Sequence, residues 1–187
     1  MDELVKNALG AIDRKDFVPK EFVRDAYKDI PLPIGHGQTI SQPYTVAFML
    51  ELLDPKAGNK ILDVGSGSGW TTALLAHIVW REGAVFGVER VQELADFGKK
   101  NLEKYKFAHA SIEKAGKALG LPKKAPFDRI LVSAASSELP QELVDQLAIG
   151  GIMVIPIGDT IYKIIKKSEG EITREAHHGF VFVPLVR

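Results

Sequence analysis

The sequence predicts an α/β domain with a mostly parallel sheet, helices on both faces and an antiparallel edge at the carboxyl end, and three observations carry that prediction. Short apolar runs alternate with helix-spaced segments from Pro43 to Ile157, the pattern left by strand, crossover helix and parallel strand. One of those runs passes directly into glycines, GSGSG from Gly65 to Gly69, as where a strand hands over to a helix against a ligand. After Ile157 the chain changes to successive strand patterns joined by short turns, which favours antiparallel pairing.

Leu4, Val5, Leu9 and Ile12 recur at helical spacing and predict a helix over residues 2–13. Phe17 to Gly37, punctuated by Pro19, Pro31 and Pro33, reads as an irregular arm. Pro43 then opens a helix through Leu53, with Ser41 or Gln42 near its cap position. Strands follow at Lys60–Val64, Ala84–Val88, Phe127–Ser133 and Ile152–Ile157, and helices at Thr71–Trp80, Gln92–Tyr105 and Pro140–Ala148. Phe107 to Leu119 contains Glu113 and few β-branched residues, so it is expected to be partly helical. Tyr162–Lys167, Glu171–Glu175 and Phe180–Val186 complete the strands.

With 187 residues, 45% hydrophobic and 26% charged, the chain has the makeup of one globular domain. The expected division is an amino-terminal helix and covering arm over 1–42, a core over 43–158 and a carboxyl-terminal hairpin over 159–187. The absence of cysteine excludes a thiol nucleophile, thiolate metal sites and disulfides, and fits a reducing cytoplasm. Basic and acidic residues balance at 24 each, so no overall field draws the chain to nucleic acid or to an anionic membrane. The start, MDELVKNALGAID, lacks the basic head and apolar run of a signal peptide, and Val46–Leu53, interrupted by Glu51, is too short to span a bilayer. Histidines at 36, 77, 109, 177 and 178 show no metal-ligand spacing, so no metal is expected, and no G-x-S-x-G elbow is present. A monomer is the expected state.

ILDVGSGSGW, residues 61–70, is the most informative segment. Glycines at 65, 67 and 69 let a ligand lie against bare backbone. Their G-x-G-x-G spacing differs from the dinucleotide fingerprint. Asp63, two residues ahead, repels a pyrophosphate but attracts an ammonium and a sulfonium, which points to S-adenosylmethionine rather than a nicotinamide cofactor. Glu89 ends the next strand, where an acid can accept hydrogen bonds from both ribose hydroxyls. Its alternative role is to favour the amino end of the helix beginning near Gln92.

PLPIGHGQTISQPY, residues 31–44, is a glycine- and proline-punctuated loop rich in hydrogen-bonding groups. Together with DFVPKEFVRDAYKDIPLPIGHGQTISQP from Asp16, the loop from Asp63 to Trp70, APFDRILVSAA from Ala125 and FVPL from Phe182, it resembles the protein-L-isoaspartate O-methyltransferase family. The resemblance implies a Rossmann-like seven-stranded methyltransferase sheet. It also implies methyl transfer from S-adenosylmethionine to the α-carboxylate of isoaspartyl residues in damaged proteins or peptides, leaving S-adenosylhomocysteine. By the same resemblance Ser41 is the active-site serine, and His36, Ile40 and Ser41 face the substrate. Gln42, Pro43, Tyr44 and Thr45 approach the cofactor; Asp63 takes its methionine end and Glu89 its ribose, with Gly65, Ser66, Gly67, Gly69, Arg90 and Gly116 around them. Serine is also a habitual helix cap, so Ser41 has a second reading beside Pro43.

One departure bears on affinity. Where the family has Gly-Asp-Gly, its Asp reaching the adenine amino group, this chain has Ala115, Gly116 and Lys117; weaker cofactor binding is expected. The rival readings are a methyltransferase for another carboxylate and a lapsed enzyme that only binds cofactor or peptide.

Overall fold

The computed structural model describes residues 2–186. At its centre lie β3 (Lys60–Val64), β4 (Ala84–Glu89) and β6 (Phe127–Val132), whose near-continuous apolar runs suit strands covered on both faces. The hairpin β1 (Leu32–Gly35) and β2 (Gln38–Ile40) precedes them, and β5 (Ala110–Lys114), β7 (Leu147–Ile157), β8 (Thr160–Ser168) and β9 (Glu171–His178) complete the strands. The seven-stranded sheet has the order β5-β4-β3-β6-β7-β8-β9, and β8, antiparallel to both of its neighbours, runs against the rest. The order reverses beside β3, with β4 on one side and β6 on the other, so the crevice that such sheets use for ligands opens at the carboxyl ends of these strands.

The helices cover the faces. In α1 (Glu3–Ala11), Asp2 caps the first turn by accepting from the Leu4 amide, and Val5 and Ala8 are buried. α2 (Pro43–Leu53) starts on its proline, as the sequence predicts. α3 (Trp70–Val79), α4 (Gln92–Glu103) and the short α5 (Gln141–Asp145) follow the strands that feed them. The arm before α2 is more ordered than expected: 3₁₀ turns at Arg14–Phe17 and Lys20–Asp25 lead into the β1-β2 hairpin. The hairpin turn runs through Gly35, His36 and Gly37, all with positive φ. With strands of only four and three residues, the hairpin leaves no readable alternation.

Two expectations are corrected. Phe107 to Leu119 is not partly helical; it supplies the edge strand β5, where only Ile112 is buried. Pairing with β4 from Val85↔Ala110 to Glu89↔Lys114 overrides the local preference. Conversely, Phe180–Val186 is not a strand of the sheet. β6 is already paired on both edges, so the tail reaches the loop beyond it, where Ala135 N donates to Val183 O (2.8 Å) and Leu185 N to Ala135 O (2.7 Å).

One close approach in the fold joins the start of α3 to α4. Gly69, φ +89°, leaves no room for a methyl: a Cβ there would lie 2.9 Å from Ile112 Cδ1 and 3.0 Å from Gly98 O. Gly69→Ala is therefore expected to lower stability by about 2–4 kcal/mol, strain and overpacking combined. Gly58→Ala, at φ +80° with nothing within 4 Å, carries only the backbone strain of about 1–2 kcal/mol. Urea denaturation of both variants checks the difference.

Candidate active site

β3 ends at Val64, and the chain turns back on itself through the glycines. Gly65 N and Ser66 N both donate to Val88 O (2.9 and 3.1 Å), and Gly69 N donates to Ser66 O (2.8 Å). At Gly67, φ +51°, the amide donates to Glu89 Oε2 at 2.9 Å, while Glu89 Oε1 accepts from Val91 N at 2.9 Å. Val91 is the cap residue of α4. One buried carboxylate thus holds the glycine loop against the amino end of α4 and also stands on a cavity wall, so both roles left open for Glu89 by the sequence are compatible.

Asp63 lies beneath this loop and is wholly buried. Its Oδ2 accepts from Thr71 Oγ1 and Thr72 Oγ1, each at 2.7 Å. Burial pushes its pKa up to about 6; the hydroxyls of Thr72 and Thr71 oppose that rise and the charge of Glu89 adds to it. The two threonines belong to the first turn of α3, where the helix dipole also favours an anion.

A cavity of about 1130 Å³ opens over the loop at the carboxyl ends of the strands. It exceeds the ~300–1,000 Å³ usual for a single ligand, so a cofactor and part of a second molecule fit. Ile40, Ser41, Gly65, Ser66, Gly67, Glu89, Arg90 and Gly116 line it, as the sequence predicts. Others stand off the wall: His36 at the exposed hairpin tip, Gln42, Pro43, Tyr44 and Thr45 around the start of α2, Asp63 under the loop, and Gly69 in the α3-α4 contact. Wall residues that sequence reasoning missed include Gln38, Thr39, Ser68, Thr71, Lys117 and the tail from Val183 to Val186. Thr71 was readable, since a hydroxyl two residues after the last glycine falls over the acid before them; of the tail, FVPL counted toward the family resemblance but gave no sign of a place on the wall.

The cap question at Ser41 is answered by a residue far back in the chain. Asp29 Oδ1 accepts from Tyr44 N at 2.8 Å, and Gln42, in the cap position, makes no side-chain cap bond. Ser41 is therefore not the cap, and it faces onto the cavity.

Three buried polar atoms here have no protein partner: Asp63 Oδ1, Ser66 Oγ and Trp70 Nε1. Buried polar atoms rarely stay unpaired, and their convergence at one glycine loop, with an acid beneath and another on the wall, fits a polar cationic ligand such as S-adenosylmethionine. Among the described residues no group of three acid or histidine side chains is placed to hold a metal ion.

The family profile described as protein-L-isoaspartate(D-aspartate) O-methyltransferase matches residues 1–187. The chain belongs to this family. Among its relatives, the protein-L-isoaspartate O-methyltransferase of Aeropyrum pernix is 48% identical over 187 residues, covering 97% of this chain and 72% of its own. That of Methanopyrus kandleri is 46% identical over 189 residues, covering 97% and 83%. A Plasmodium falciparum structure described as the same enzyme, solved with S-adenosyl-L-homocysteine, superposes with a TM-score of 0.88 at 33% identity, covering 99% of this chain and 91% of that one. The sequence expectation of a seven-stranded, mostly parallel methyltransferase sheet is met by this fold.

The raised pKa of Asp63 has a definite sign in stability. Its folded value of about 6 lies above the unfolded value near ~3.9, so the folded state holds the proton more tightly and loses stability as the group ionises. Relative to Asp63→Asn, the wild type without cofactor should lose stability as pH rises from about 4 to about 6, and the difference should level off above about pH 7. Urea midpoints of both proteins across that range check it.

Proposed function

We propose that this chain transfers the methyl group of S-adenosylmethionine to the α-carboxylate of L-isoaspartyl residues in damaged proteins or peptides, with Ser41 on the substrate side. The observation that carries the reading is the single cavity in which Ser41, released from helix capping, shares walls with the glycine loop and Glu89, in a chain matched along its whole length by the family.

When bound, S-adenosylmethionine supplies a methyl group on a cationic sulfur, and transfer to a carboxylate oxygen leaves a methyl ester and a neutral thioether. Glu89 and the backbone of Gly65 to Gly67 hold the ribose and methionine side, with Asp63 contributing negative charge from beneath. Ser41 donates a hydrogen bond that orients the substrate carboxylate. An α-carboxyl with a pKa near ~3.5 is already ionised at neutral pH, so no residue need act as a general base. In keeping with this, no histidine among the described residues lines the cavity. Alignment and exclusion of water carry the rate, and orientation alone can supply several kcal/mol. We read the chain as one domain whose amino-terminal arm and carboxyl-terminal tail are parts of the site. It works as a monomer in the cytoplasm, on protein and peptide substrates and without nucleic acid or membrane. One chain's own walls enclosing the cavity, and the absence of cysteine, support that reading.

Labelled methyl groups should pass to a synthetic isoaspartyl peptide and not to its aspartyl twin; labelling of neither, with cofactor binding intact by calorimetry, would point to another carboxylate. Ser41→Ala should lower kcat/KM about 10- to 100-fold, the range of one hydrogen bond to a charged group. Gly116 lines the cavity and has open space around its missing Cβ. Gly116→Asp should therefore tighten cofactor binding about fivefold or more, read by calorimetry, as one added hydrogen bond of on the order of 1 kcal/mol requires.

A further inference from the structure

We propose that Arg14 is a positioning residue for this methyl transfer, its buried guanidinium fixing the backbone at Ser41 against the arm and against the helix that follows the glycine loop; the proposal rests on the function assigned above. Arg14 is 4% exposed. Its Nη2 donates to Ser41 O and to Ile30 O, both at 3.0 Å. Nη1 donates to Ala26 O at 2.7 Å and reaches Lys28 O at 3.5 Å. The face of the group lies 5.3 Å over the ring of Trp70, the first residue of α3, within cation-π range.

The pattern of partners is what singles this group out. Among the described residues every hydrogen bond of this buried cation goes to a backbone carbonyl, and no carboxylate touches it; Asp29 acts on it through charge alone. Burying a cation without a contacting anion is unfavourable, and burial lowers its pKa to about 10, which still leaves it charged at neutral pH. A guanidinium offers five donors in a rigid planar fork, which suits several carbonyls held on two sides at once. The carbonyls it gathers come from the arm, Ala26 to Ile30, and from Ser41, which lie just beyond the Leu32↔Ile40 pair where the β1-β2 ladder ends, so the fork continues by side chain what the ladder no longer holds. Beyond Ser41, Asp29 takes the amide of Tyr44. The serine is thus pinned on its carboxyl side by a carbonyl bond to Arg14 and, three residues on, by an amide bond to the same arm. Trp70 lines the cavity, so the guanidinium also spans from the substrate-side serine to the wall nearest the glycine loop.

Arg14→Lys keeps the charge but replaces the fork with a single ammonium. The expected result is a 10- to 100-fold fall in kcat/KM for the isoaspartyl peptide with the dissociation constant of S-adenosylhomocysteine changed less than threefold. In a Ser41→Ala background the same substitution should cost less than threefold, because the group it positions is gone. Arg14→Gln, neutral and close in length, is the second variant should the buried ammonium prevent folding, and the same non-additivity is expected of it. Losses that multiply in the double variant, or a parallel rise in the cofactor dissociation constant, would assign Arg14 a general structural role and overturn the proposal. A wild-type protein inactive on the isoaspartyl peptide would overturn both the proposal and the function it rests on, which separates the two failures.

Discussion

A buried carboxylate under a turn of glycines organises this molecule. Asp63 is held by hydroxyls from two consecutive residues of α3, so the acid at the end of β3 and the first turn of the next helix are locked across the loop between them. The loop can then be almost pure backbone, because its position is set from below by Asp63 and from the side by Glu89. An unpaired charge in the interior raises the energy of the folded state. Placed beneath a cavity, the same charge is a fixed partner for a cationic ligand in a medium that screens little. The instability is local, and it is aligned in advance with what the cavity takes, which is the logic of preorganised sites.

The cavity is assembled from distant parts of the chain. The sheet supplies the floor at the reversal point of its strand order. The arm before α2 supplies the serine, and the tail beyond β9 closes another side by pairing with Ala135 just past the end of β6. These additions differ in how they are held. The tail is tied by backbone hydrogen bonds to Ala135 and to Asp159, whereas the arm is tied by two side chains of opposite charge, Arg14 and Asp29. Side-chain ties place one residue closely, which suits Ser41 just past the end of the β1-β2 hairpin, next to Gln38, Thr39 and Ile40 on the same wall.

What could be read from the sequence follows from where each residue is buried. β3, β4, β6 and β7 are covered on both faces and leave apolar runs that survive any misreading of local preference, and the glycine loop with its two acids is legible because ligand contact and tight turning restrict residue type directly. β5 failed this test: as an edge strand it buries only Ile112, so its local composition spoke for a helix while its pairing decided for a strand. The tail failed in the opposite way. Phe180–Val186 has strand character, but it runs past the end of β6, whose two edges are already taken by β3 and β7. At the site, whether Ser41 caps α2 was not decided locally either, since the amide of Tyr44 is taken by Asp29, fifteen residues before it. Arg14 left no signal, because its partners are all carbonyls, which every residue carries.

The same contrast explains why the departure at Gly116 is compatible with an intact site. The loop after β5 is positioned by strand pairing through Glu89↔Lys114 and by the bond from Ala115 N to Glu89 O at 2.8 Å, not by any side chain at 116. On the proposed assignment, replacement of the family's acid there by Gly116 takes away a ligand contact and leaves the wall standing. Replacing Glu89 would be different in kind, since its carboxylate is at once wall, clamp on Gly67 and partner for Val91. Residues whose side chains build the cavity are constrained by the fold; residues that only decorate it are constrained by the ligand alone. On the assignment proposed above, the adenine end is decorated and the methionine end is built, so cofactor affinity can drift at one end while the geometry around Ser41 stays fixed.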